Sequence, residues 1–125
     1  MVEKNKSLIQ INKIMEKRLG KIQSVSFGLG GYQECMLGLS ITLGNDGWGV
    51  GDFKGFWDPE QITRSENTQW TEEERDKRNS ETMRFVSKLL NEAKVKDVSK
   101  LKNIPVEVSF DGNLLKEWRI LTEVL

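Results

Sequence analysis

The residues with most chemical promise lie between Gly44 and Trp57, in the run GNDGWGVGDFKGFW. Nine of the 11 glycines fall between Gly28 and Gly55. Glycine weakens a strand, so a dense set implies bulges, sharp bends, or a ligand or backbone approaching closely. Trp48, Phe53, Phe56 and Trp57 are interleaved with these glycines. Flat rings beside bare backbone suit a planar ligand that stacks on them. The competing reading is that the rings are core and the glycines let a sheet coil. A phosphate-binding loop is excluded. There is no Gly-x-x-x-x-Gly-Lys-Ser/Thr, and no Gly-x-Gly-x-x-Gly between a strand and a helix.

Two further groups could act on an anion. Arg64, Trp70, Arg75, Lys77, Arg78 and Arg84 cluster around a polar loop and a helix start. Arginine forks clamp phosphates while a neighbouring ring stacks. Glu72, Glu73, Glu74 and Asp76 sit among them, so an ordinary solvated helix face is the alternative. Trp118 and Arg119 are adjacent in the last strand and must point to opposite faces. Trp118 shares parity with Leu114 and Ile120 and is expected in the core, with Arg119 outward. The candidate ligand-binding set is Trp48, Phe53, Phe56, Trp57, Arg64, Trp70, Arg84 and Arg119.

Catalysis finds less support. The chain has no histidine and one cysteine, Cys35. A serine nucleophile would lack its imidazole base, and Cys35 falls on a strand face that reads as core. The acids Glu34, Asp46 and Asp52 could hold Mg²⁺ or exchange protons, yet Asp46 lies in a turn where backbone geometry alone favours aspartate. No cofactor, metal site or Cys/His zinc site is expected.

The totals agree with a binding role. At 125 residues the chain fits one domain. Lys+Arg and Asp+Glu both number 19, so there is no basic surplus for coating nucleic acid. No apolar run is long enough to span a membrane. The polar start, Met1 to Lys6, has no signal-peptide core behind it. A lone cysteine suits a reducing compartment, so a cytoplasmic protein is expected.

These residues need elements to position them. Leu8, Ile11, Met15 and Leu19 recur at helical spacing, predicting a basic amphipathic helix from Glu3 to Leu19 that Gly20 stops. Residues 1–20 then form an extension and 21–125 one domain. Lys21–Phe27 reads as a short strand. Cys35–Leu43 alternates cleanly, and Gly44-Asn45-Asp46-Gly47 turns it into Trp48–Phe56. Trp57–Gln69 reads as an exposed loop. Thr71 and Glu74 form a capping box opening a long helix, with Met83, Val86, Leu89, Leu90 and Ala93 as its apolar stripe. Asp97–Leu101 makes one turn. Ile104–Phe110 and Leu114–Leu121 form a second hairpin across Asp111-Gly112-Asn113, and the apolar tail Val124-Leu125 is expected to dock, across a dimer interface for example. The fold class is α+β: four to five antiparallel strands packed on one long helix, with the additional N-terminal helix.

The segments GYQECMLGLSITLGNDGWGVGDFKGFW, WTEEER, LLNEAKV and PVEVSFDGNLLKEWRILTEVL together resemble a family of small accessory proteins encoded by phages and prophages. The resemblance covers about Ile22 to Leu125 and carries over no catalytic residues. It implies an accessory gene of a mobile element. By analogy with small phage proteins that blunt host defence, a non-enzymatic anti-defence protein is expected, in its sharper version a homo-oligomer that sequesters a nucleotide-like signal. The alternatives are an inhibitor gripping a host defence protein, as anti-CRISPR proteins do, and a nucleic-acid-binding accessory of phage replication.

Overall fold

The computed structural model describes residues 15–62 and 69–125. Five strands and one helix follow one another as β1 (Met15–Gly30), β2 (Met36–Asn45), β3 (Trp48–Trp57), α1 (Glu72–Ala93), β4 (Pro105–Asp111) and β5 (Leu114–Ile120). Short 3-10 turns lie at Tyr32–Glu34, Val98–Leu101 and Thr122–Val124. The strands form a single antiparallel sheet in the order β3-β2-β1-β4-β5. The α+β class, the long helix and both hairpins agree with the sequence.

The N-terminal helix does not reach where periodicity placed it. Met15–Leu19 are strand, paired with β4 from Met15↔Asp111 to Lys21↔Pro105. Its remainder, Glu3 to Ile14, lies outside the described residues. Gly20 is no helix stop. It sits inside β1, where a methyl group would come 2.6 Å from the Gly44 carbonyl oxygen. Leu19, counted as part of an apolar stripe, is 63% exposed. Four matching positions are a thin helical signal, and the β4 backbone offered Met15–Lys21 a full set of partners.

β1 is longer than expected because it pairs with two strands of the sheet. Its first half pairs with β4. Its second half pairs with β2, from Lys21↔Gly44 to Gly30↔Met36, after a break in register between Ile22 and Ser24. Such an irregularity bends the strand and increases its twist. The effect is visible at the opposite edges of the sheet. Flat strands about 4.8 Å apart would leave β3 and β5 roughly 19 Å from each other. Instead the Trp118 indole N–H of β5 donates to Asp52 Oδ2 of β3 at 2.8 Å. Trp48 of β3 meets Phe110 of β4 edge-on, centroids 5.7 Å apart. The sheet is curled until its ends face one another. A seam of about 210 Å³, lined by Asp52, Lys54, Leu115 and Trp118 among others, remains between them. A helix stands between β3 and β4, and β1 is shared by both halves of the sheet.

The concave face holds the core: Ile22, Leu39, Ile41, Leu43, Val106, Val108 and Ile120, all nearly or fully inaccessible. α1 closes it with Thr82, Phe85, Val86, Leu89 and Ala93. These positions recur at helical spacing. Met83, read as part of the stripe, is 59% exposed, and Phe85 takes its place. The start of α1 is as expected, with Thr71 Oγ1 accepting the Glu74 N–H at 3.0 Å. Its end is less usual. Lys94 has φ 59° and ψ 40°, and the Val95 N–H closes back onto the Leu90 carbonyl at 3.0 Å. That left-handed closure is a glycine position. Lys94→Gly should therefore raise stability by about 0.5–1 kcal/mol, measured by urea denaturation. No helix among the described residues is long and apolar enough to cross a membrane.

Candidate functional site

Strand alternation divides the candidate rings. Trp48 and Phe56 point to the concave side of β3. Phe53 and Trp57 point to the convex side, as their register partners Ser40 and Met36 do. Trp48 packs on Phe110, with the Arg18 guanidinium 5.8 Å from its ring and 5.5 Å from Phe110. Phe56 meets the buried Trp70 edge-on at 5.8 Å. Trp57 stands against the exposed Tyr32 at 6.4 Å. The four rings therefore do not form one platform, because successive strand residues cannot share a face.

The arginines separate as well. Arg119 points outward, as expected, but both its nitrogens on one side bond Glu123 at 2.9 Å and its Nε bonds Glu107 at 3.3 Å. Those hydrogen bonds raise the Arg119 pKa and hold the Glu123 carboxyl down at about 2. This guanidinium is engaged within the chain. Arg84 lies on the exposed face of α1 beside Asp76, Asn79, Ser80 and Met83. Arg64 lies outside the described residues. In the apolar tail, Val124 and Leu125 are exposed.

A different cation is well placed. A cleft of about 320 Å³ opens between β3 and α1, lined by Phe53, Lys54, Gly55, Arg78, Glu81, Thr82 and Phe85. This lies at the lower end of the size range for small-molecule sites. The Arg78 guanidinium lies 5.9 Å from the Phe56 ring, and Lys54 Nζ lies 5.6 Å from the Phe85 ring. Neither cation is in an ion pair among the described residues. Thr82 anchors the wall by donating its hydroxyl to the Arg78 carbonyl at 2.9 Å. The two cations against one acid, Glu81, give the cleft a positive balance.

Phe53 joins this cleft to a second concavity on the convex face. That trough, about 370 Å³, is floored by Ser24, Ser26, Ser40, Thr42 and Gly51, with Phe53 at one end. The Phe53 ring lies over bare backbone. A methyl group on Gly55 would come 2.8 Å from its Cε1, and one on Gly30 would come 3.2 Å from its Cε2. Part of the space left by the glycines is thus filled by the protein's own ring, as aromatic side chains cover sheet glycines elsewhere. Lys54, Glu81, Thr82 and Phe85 escaped the sequence reading. Phe85 was discoverable, since it lies four residues before Leu89 and eight before Ala93, on the same helical face. Lys54 was not, because only the tertiary fold brings β3 beside Arg78.

No protein-family model, curated protein or solved structure matches the chain.

Proposed function

We propose that this chain is a non-catalytic binding protein whose ligand is nucleotide-like and enters the cleft between β3 and α1. The observation that carries this reading is that Phe53 and Phe85 line one opening together with two cations, Lys54 and Arg78, that make no ion pair among the described residues. Phe53 and Phe85 offer a planar base its apolar contact. Arg78 and Lys54 face the anionic end, Arg78 with a forked donor set and Lys54 as a point charge. Glu81 accepts from a sugar hydroxyl or an exocyclic amine. Of the acids Glu34, Asp46 and Asp52, Asp52 accepts from the Trp118 indole and Asp46 belongs to the hairpin turn. The resemblance to phage accessory proteins supplies the biological setting, sequestration of a nucleotide signal used in host defence.

Isothermal titration of the purified chain against cyclic dinucleotides, ADP-ribose and ATP tests the reading. At least one should bind with measurable heat. Phe53→Ala and Arg78→Ala should each weaken that binding about tenfold or more, from lost stacking and a lost charged hydrogen bond respectively. Arg119→Ala should leave it unchanged. Absence of heat with every member of the panel would remove the nucleotide ligand.

A further inference from the structure

Along the second half of β1, no described residue is hydrogen-bonded to the edge that continues the β4 side. Ile22 makes the last backbone bonds on the β4 side: its N–H donates to Ile104 O at 2.9 Å, and its carbonyl accepts from Asn103 N–H at 2.7 Å. Beyond it, β1 is bonded to β2 alone. The direction of the remaining backbone groups follows from the hairpin. Asn45↔Trp48 closes a two-residue turn, so that pair exchanges its hydrogen bonds, and every second pair after it does the same. Leu43, Ile41, Leu39 and Leu37 therefore face β3. Thr42, Ser40, Gly38 and Met36 face β1, and their partners Ser24, Ser26, Gly28 and Gly30 face β2. Val25, Phe27 and Leu29 are left with N–H and C=O pointing away from the sheet.

The same three residues carry their side chains on the concave face, which is core elsewhere. Here it is open: Phe27 is 47% exposed, Leu29 50% and the neighbouring Leu37 41%, whereas Leu39 is fully buried. Native edges are protected by charge, proline or cover. β5 carries Lys116, Glu117 and Arg119, and β3 has α1 against it. The segment Val25-Ser26-Phe27-Gly28-Leu29-Gly30 has no charge and no proline, in a chain with 30% charged residues.

We propose that this edge pairs with the same edge of a second copy, forming a two-fold dimer through β1. The occupant is argued from register. An antiparallel copy related by an axis at Phe27 sets Phe27 opposite Phe27, Val25 opposite Leu29 and Leu29 opposite Val25. Every outward-facing residue then meets an outward-facing residue, as an isologous contact requires. The exposed rings and leucines of both copies fall on one face of the continuous sheet, where they cover one another. The proposal does not depend on the ligand reading above, since the cleft lies at β3 and α1.

Sedimentation equilibrium of the full chain should give twice the monomer mass. Phe27→Pro removes an N–H that makes no bond among the described residues, and Leu29→Lys puts a charge into the paired edge. Both should sediment as monomers with unchanged far-ultraviolet circular dichroism. Hydrogen exchange of the unaltered protein gives a variant-free reading. The Val25, Phe27 and Leu29 amides should become protected as protein concentration rises, while Ser26 and Gly28, bonded to β2, stay protected throughout. A wild-type monomer at the highest concentration, or a dimer that survives both substitutions, would overturn the proposal.

Discussion

Trp118→Ala is expected to lower the unfolding free energy by about 3–5 kcal/mol, the range for truncating a core aromatic. The side chain does two things. Its ring meets Phe85 edge-on at 6.0 Å, tying β5 to α1. Its indole N–H reaches Asp52 on the far edge of the sheet. Truncation leaves a void at the seam and strips a part-buried carboxylate of its donor. Trp118→Phe separates the two contributions, since it keeps most of the packing and deletes only the hydrogen bond. That variant should lose about 1–3 kcal/mol. Urea unfolding of both variants, with Asp52→Ala completing a double-mutant cycle, measures the coupling. A Trp118→Ala protein as stable as the parent would mean that the edges are held together by something else.

The second large effect concerns a pair of glycines that sit opposite each other, Gly28 on β1 and Gly38 on β2. A methyl group on Gly38 would lie 2.1 Å from the Lys54 carbonyl oxygen and 2.6 Å from Gly55 Cα. These are backbone atoms of β3 and cannot turn aside as a side-chain tip would. Gly38→Ala must push β2 from β3 beside the cleft, at a cost of about 3 kcal/mol or more. Gly28 has nothing within 4 Å of the corresponding position. Gly28→Ala should be neutral or stabilise by about 0.5 kcal/mol, through reduced freedom of the unfolded chain. Thermal melts of the two variants decide the matter, and equal effects would refute this distinction between the two sites.

That contrast also shows where the sequence was readable. The alternation of Leu37, Leu39, Ile41 and Leu43 predicted β2, and Gly47 with φ 90° occupies the turn its position suggested. Thr71 caps α1 as its spacing from Glu74 required. Trp118 inward and Arg119 outward followed from parity with Ile120, but Leu114, counted on the same face, is exposed, because the register shifts between Ser109 and Phe110 and Leu115 turns inward instead. Other features were illegible for definite reasons. The glycine-rich run offered two explanations, ligand space or sheet coiling, and the residues carry no mark of which applies. Gly38 and Gly55 prove to be close approaches of backbone, and Phe53 occupies some of the room beside Gly30 and Gly55. Arg119 and Arg78 are alike as residues. One is bound by Glu107 and Glu123, and the other faces an open cleft.

Local chemistry in the chain determined the hairpin turns, the helix cap, the alternation of its strands and the want of imidazole, because each depends on neighbours a few positions apart. Tertiary structure alone decided that Met15–Leu19 are strand, that β3 and β5 meet through Asp52 and Trp118, and that Lys54 stands beside Arg78. Those contacts join residues far apart in the chain, and the one between β3 and β5 also needs the sheet to curl. Pattern along a chain records which face a residue takes, whereas the company it keeps there depends on how far the sheet turns.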